Sequence, residues 1–102
     1  MRGLSTEALL RLPVRVRGIQ LGRPVDVIFD RSGEQPIGLD VLCGDDQHRF
    51  LPLAAAEVRA DEIAVGSALT LLTDRELAFY RAQGVTLRDL RARALGEPAP
   101  AA

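Results

Sequence analysis

The chain has 102 residues, nearly half of them apolar, and a formal net charge of −1. This composition bounds it to one modest globular core, excludes general disorder, and removes any bulk electrostatic pull toward nucleic acid or anionic lipid. All 13 basic residues are arginine, one cysteine precludes an internal disulfide, and no run approaches the roughly 20 apolar residues of a membrane span. No signal-peptide core follows Met1-Arg2, so a cytoplasmic protein with no cofactor is expected.

Ser5 or Thr6 offers a cap for one helical turn, which Pro13 limits. Leu12, Val14 and Val16 alternate with Arg11, Arg15 and Arg17, predicting a strand with one buried and one arginine face, Arg15 and Arg17 pairing with Asp26 or Asp40. The alternation changes phase at Gly18, a bulge or corner signal, and Gly22-Arg23-Pro24 reads as a turn.

Residues 25–53 then form a predicted β-meander of three apolar-alternating runs. Pairing by burial sets Phe29 opposite Ile37, Val27 opposite Leu39 and Val25 opposite Val41, with residues 31–35 as the loop and Ser32-Gly33 as its turn. The same test in the second hairpin pairs Val41 with Phe50 and Cys43 with His48 around a four-residue turn, 44–47. The outward face then carries a like-charge pair, Asp26 across from Asp40, with Arg49 as its nearest cation. It also carries Ile28, Leu42, Leu51 and Leu53, too many large apolar groups to stay wet, so a cover is expected. Gly38, opposite Ile28, marks a bend or close backbone approach.

Beyond Leu53, three alanines, Val58, a polar Asp61-Glu62 turn, Ile63 and Val65 and a last apolar segment at Leu69, Leu71 and Leu72 bring the count to about six strands. The fold class is mostly β: a small closed or partly open antiparallel barrel over residues 12–72, with a helical pair over 73–96 in the same single domain. Thr73-Asp74-Arg75-Glu76 is a capping box, Gly84 a C′ stop, Thr86 a second cap, and Leu87, Leu90 and Ala94 one stripe of the second helix. Residues 97–102, rich in Ala and Pro, are expected to be disordered.

The meander resembles the PRC-barrel family, named for the photosynthetic reaction centre H subunit and shared with the C-terminal domain of a ribosome maturation factor. The likeness is carried by Gly22-Arg23-Pro24-Val25, Val27-Ile28-Phe29-Asp30, Ile37-Gly38-Leu39-Asp40-Val41, Arg49-Phe50-Leu51-Pro52 and Ile63-Ala64-Val65. It implies an adaptor that binds proteins or assembles with itself, and it supplies no catalytic residues.

Three other constellations compete with this reading. Cys43 and His48 as cross-strand neighbours invite nucleophilic chemistry, but no oxyanion donor or orienting third group accompanies them. Asp45, Asp46 and His48 are possible metal or ligand contacts, although an acidic hairpin turn is ordinarily just solvated. Residues 77–95 have a helix-turn-helix outline with Arg88, Arg91 and Arg93 on the second helix, the basis for a nucleic-acid-binding or ribosome-associated factor. Bulky Tyr80 at a position wanting a small residue, and the near-zero net charge, weigh against nucleic acid. A non-enzymatic, self-associating interaction module is the favoured expectation. Its interface is placed at Leu77, Phe79 and Tyr80 of the first tail helix and at Ile28, Leu42, Leu51 and Leu53 beneath it.

Overall fold

The computed structural model describes residues 6–94. A single-turn helix, α1 (Thr6–Leu9), leads into β1 (Val14–Val16), β2 (Ile19–Phe29), β3 (Pro36–Cys43), β4 (His48–Pro52), β5 (Ala56–Val58) and β6 (Ile63–Val65). The tail follows as α2 (Asp74–Gln83), β7 (Val85–Thr86) and α3 (Leu87–Ala94). Ser5, one of the two expected caps of α1, and residues 97–102 lie outside the described residues.

The six principal strands run in the order β4-β3-β2-β1-β6-β5, and β7 joins the sheet beside β2. Pairing is antiparallel except between β1 and β6. The sheet curls into a half-barrel, so the partly open form of the expected barrel is the one adopted. Leu9, Val14, Val27, Leu39, Val41, Leu51 and Ile63 are fully buried on its inner side. A smaller cluster of Ile28, Phe50 and Leu77 forms on the other face.

Arg17 and Gly18, both at positive φ, close the β1–β2 hairpin as a two-residue turn. The change of phase at Gly18 is therefore a hairpin and not a bulge. Gly22-Arg23-Pro24 is likewise no turn but the middle of the 11-residue β2. Gly22 pairs with Val14 on one side and Cys43 on the other, where a Cβ would lie 2.9 Å from the Cys43 Cα. Arg15 pairs with Glu62 at 3.6 Å, not with Asp26 or Asp40.

In the first hairpin Asp26 opposes Asp40, Val27 opposes Leu39 and Ile28 opposes Gly38, as the opposition of apolar residues predicts. Its two ends slip. Val25 is bulged, so Pro24 and not Val25 meets Val41, and Phe29 meets Pro36 and not Ile37. Proline has no N–H to give a ladder and is accommodated at such irregularities.

The second hairpin is one residue out of the expected register. Asp40 opposes Phe50, Val41 opposes Arg49 and Leu42 opposes His48. The cause is the turn: the Asp46 N–H donates to the Cys43 carbonyl at 3.0 Å and the Cys43 N–H to the Gln47 carbonyl at 2.9 Å, with Asp46 at φ 63°. That is a three-residue loop ending in a left-handed residue, where a four-residue loop was expected. Because side chains alternate along a strand, the slip moves Phe50 to the outer face and Leu51 to the inner one.

The segment 69–72 is not a strand. Ala68–Thr70 form one 3₁₀ turn, Leu69 is 88% exposed, and only Leu72 makes a bridge, exchanging N–H···O=C bonds with Phe50.

Candidate functional site

The outer face of the meander is built from even-numbered residues of β2, β3 and β4: Asp26 and Ile28, Gly38, Asp40 and Leu42, His48 and Phe50. Two different things happen there. One half is covered by the tail, and the other holds a pair of buried carboxylates.

Helix α2 begins where the sequence places it. The Thr73 hydroxyl donates to the Glu76 carboxylate, and this contact holds the Glu76 carboxyl below its usual range. The two side chains of the expected capping box thus bind each other, and the Thr73 hydroxyl oxygen accepts no backbone N–H. Gly84 ends the helix, but at φ −120°, in extended backbone. Glycine is needed there because a Cβ would overlap the Phe29 carbonyl, across which β7 pairs with the end of β2.

From this frame Leu77 drops onto Ile28 and Phe50. Tyr80 stacks on Phe50, ring centroids 4.3 Å apart and planes within 10°. Phe79 meets the edge of Tyr80 at 5.2 Å, nearly perpendicular, and remains 58% exposed. Of the residues expected to form the interface, Leu77, Tyr80 and Ile28 come together, and Phe79 is the aromatic left outward. Leu51 is fully buried in the larger cluster and Leu53 packs against it, so neither belongs to this surface. Leu42 stays half-buried beside His48. The residue missing from the expected surface is Phe50, which the hairpin slip brings outward in place of Leu51.

The tail is not a helix-turn-helix. A strand, β7, separates its helices, and α3 is pinned by its start: the Thr86 hydroxyl oxygen accepts the Asp89 N–H at 3.2 Å, and the Arg88 N–H donates to Asp26 at 3.3 Å. Leu87 and Leu90 pack against the larger cluster. Arg91 reaches Glu7 of α1 at 3.3 Å.

Asp26 and Asp40, 6% and 4% exposed, face each other across β2 and β3. Burial raises the Asp26 pKa, with the Asp40 charge adding to the effect; N–H donation from Val27 and Arg88 and the Arg88 charge oppose it. Asp40 is served by His48, whose Nδ1 lies 2.7 Å from its carboxylate. Arg49, the expected counter-ion, points away and grips Asp45 through two bonds of 2.7 and 3.0 Å, holding that carboxyl down to about 2. A depression of about 160 Å³ beside His48 is lined by Gln47, His48, Arg49, Thr73 and Asp74, and Asp26 and Asp40 do not reach it. The slip also parts the supposed dyad: Cys43 is buried toward the core, and His48 stands on the opposite face. Asp45, Asp46 and His48 do not assemble as a metal site, and no group of three or more His, Cys, Asp or Glu among the described residues does.

No helix among the described residues is long and apolar enough to cross a membrane. No protein-family model matches the chain, and no curated protein matches it.

Proposed function

We propose that this chain is a non-enzymatic interaction and assembly module of the PRC-barrel type, with its partner contact built on α2 around Phe79. The observation that carries the reading is the aromatic stack. Phe50 is anchored in the sheet, Tyr80 lies flat on it, and Phe79 is held edge-on to Tyr80 with most of its ring in solvent. A large side chain braced in this way loses little freedom on binding, which is the property of the aromatic anchors that dominate protein interfaces.

The half-barrel supports the reading by presenting α2 on a rigid face, and the resemblance of the meander to PRC-barrel adaptors points the same way. Asp26 is read as a structural group that binds the tail, since it accepts the Arg88 N–H at the start of α3, and Asp40 as one that fixes β4 through His48.

Capture of partners from native lysate by the intact chain and by Phe79→Asp, each with and without nuclease, tests the proposal. The expected result is a protein partner that survives nuclease and is lost, at least tenfold, with Phe79→Asp. A partner that disappears with nuclease and ignores Phe79→Asp would sink the proposal in favour of a nucleic-acid or ribosome-associated factor.

A further inference from the structure

The strand at the end of the sheet, β5, is paired on one side with β6 and on the other with no strand among the described residues. The Arg59 N–H donates to the Glu62 carbonyl at 2.8 Å. By the alternation of an antiparallel ladder, residues 57 and 59 then turn their peptide groups toward β6, and Ala56 and Val58 turn theirs to the open edge. The Ala56 N–H donates to the Leu53 carbonyl. Val58, with one outward N–H and one outward C=O, is thus the centre of the edge. A groove of about 350 Å³ lined by Leu53, Ala56, Glu57 and Val58 runs beside it, three of its four lining residues apolar.

We infer that β5 pairs with β5 of a second copy of this chain, antiparallel, with the twofold axis at Val58. Two Val58 residues then exchange both N–H···O=C bonds, and the Val58 side chains lie over the apolar groove. Charge complementarity selects this register. With the axis at Val58, Glu57 of each copy stands opposite Arg59 of the other, and both side chains are exposed on one face of the strand. Moving the axis to either neighbour sets Glu57 against Glu57 or Arg59 against Arg59, and like charges directly opposite oppose pairing. Within one copy Arg59 already lies 3.2 Å from Glu57 and 2.8 Å from Glu62, so its guanidinium is held on the exposed face from which it meets the Glu57 of the other copy. An edge of three residues makes a small interface, and the association is a concentration-dependent equilibrium between monomer and dimer.

This self-association goes beyond the Phe79 contact and uses a different surface. Sedimentation over a concentration series reads it. The intact chain should convert reversibly to dimer, while Glu57→Arg and Arg59→Glu should each remain monomeric, because each sets like charges across the axis. An equimolar mixture of those two variants should dimerise again, since one copy then offers only arginine and the other only glutamate. Exchange of the Val58 amide should slow as concentration rises. Val58→Pro, which deletes the central donor at a position whose N–H faces outward, should abolish the dimer. Phe79→Asp should leave the dimer intact, which separates this inference from the partner contact on α2. A monomer up to about 1 mM, a dimer that tolerates both charge reversals, a mixture that stays monomeric, or a dimer broken by Phe79→Asp would each overturn it.

Discussion

Phe50 lies parallel to Tyr80 at 4.3 Å and covers Gly38 on the strand beside it. A Cβ at residue 38 would overlap the Phe50 ring and lie 2.9 Å from the Leu51 carbonyl oxygen. Glycine is therefore required for close approach, as a strand glycine facing a large side chain so often is. Gly38→Val should lower stability by about 1 to 3 kcal/mol through overpacking. Gly38→Ala combined with Phe50→Leu should cost less than the two single changes added together, because the smaller side chain vacates the contested space. Additive losses in thermal melts would show that Gly38 and Phe50 do not compete for that volume.

The buried carboxylates make a prediction about pH. The Asp26 pKa is raised in the folded protein above its ordinary 3.8, mainly by burial. Between the unfolded and folded values the native state binds more protons than the unfolded one, so stability falls as pH rises through that window. The loss is complete above the folded value. Asp26→Asn keeps an acceptor for the Val27 and Arg88 N–H groups and removes the charge facing Asp40. It should raise stability at neutral pH by up to about 1 kcal/mol and have no effect below the unfolded pKa. Denaturant midpoints measured from pH 3 to 8 check this; a variant less stable than the parent at neutral pH would mean that Arg88 and the N–H donors outweigh burial.

At the β1–β2 hairpin, Arg17 occupies φ 49° ahead of Gly18 at φ 81°. Such two-residue turns need positive φ at both positions, and Asn-Gly is the favoured pair. A non-glycine residue there pays roughly 1 kcal/mol, less for asparagine. Arg17→Asn should stabilise by about 0.5 kcal/mol and Arg17→Val should destabilise by more than that, with the denaturant slope unchanged in both. Equal midpoints for the two variants would contradict the turn geometry.

How much of this was legible in the residues depends on what covered each face. The middle of the β2–β3 register could be read because it sets Val27 against Leu39 and keeps apolar residues together, although both ends slip around Val25 and Phe29, and α2 could be read from Thr73, Glu76 and Gly84. The β3–β4 register could not, because Phe50 and Leu51 are both apolar and both buried, one under α2 and one in the core. A strand covered on both faces has no hydrophobic pattern by which to choose its register. The decisive signal was conformational: Asp46 in the left-handed region shortens the turn. Gly22 and Pro24 read as a turn for a similar reason, since composition does not distinguish a reversal from a strand that must be approached closely. Strand β7, two residues long, is too short for any period to register.

The tail supplies the cover on which these contacts depend. Leu77 and Tyr80 pack against Ile28 and Phe50, Leu87 and Leu90 against the larger cluster, and β7 pairs with β2 at Ile28 and Phe29. Ending the chain after Leu72 removes all of them. Each fully buried leucine is worth about 1.5 to 3 kcal/mol, and domains of this size hold only about 5 to 15 kcal/mol in reserve. The truncated chain should therefore lose its cooperative melt and aggregate through the uncovered Ile28 and Phe50 face. Phe79→Asp, which removes only the edge contact with Tyr80, should cost about 0.5 to 1.5 kcal/mol and keep a cooperative melt. Light scattering and thermal melts on both proteins separate a structural tail from a merely appended one. A truncated half-barrel that stays soluble and monomeric with a sharp melt would show that the sheet stands without α2 and α3.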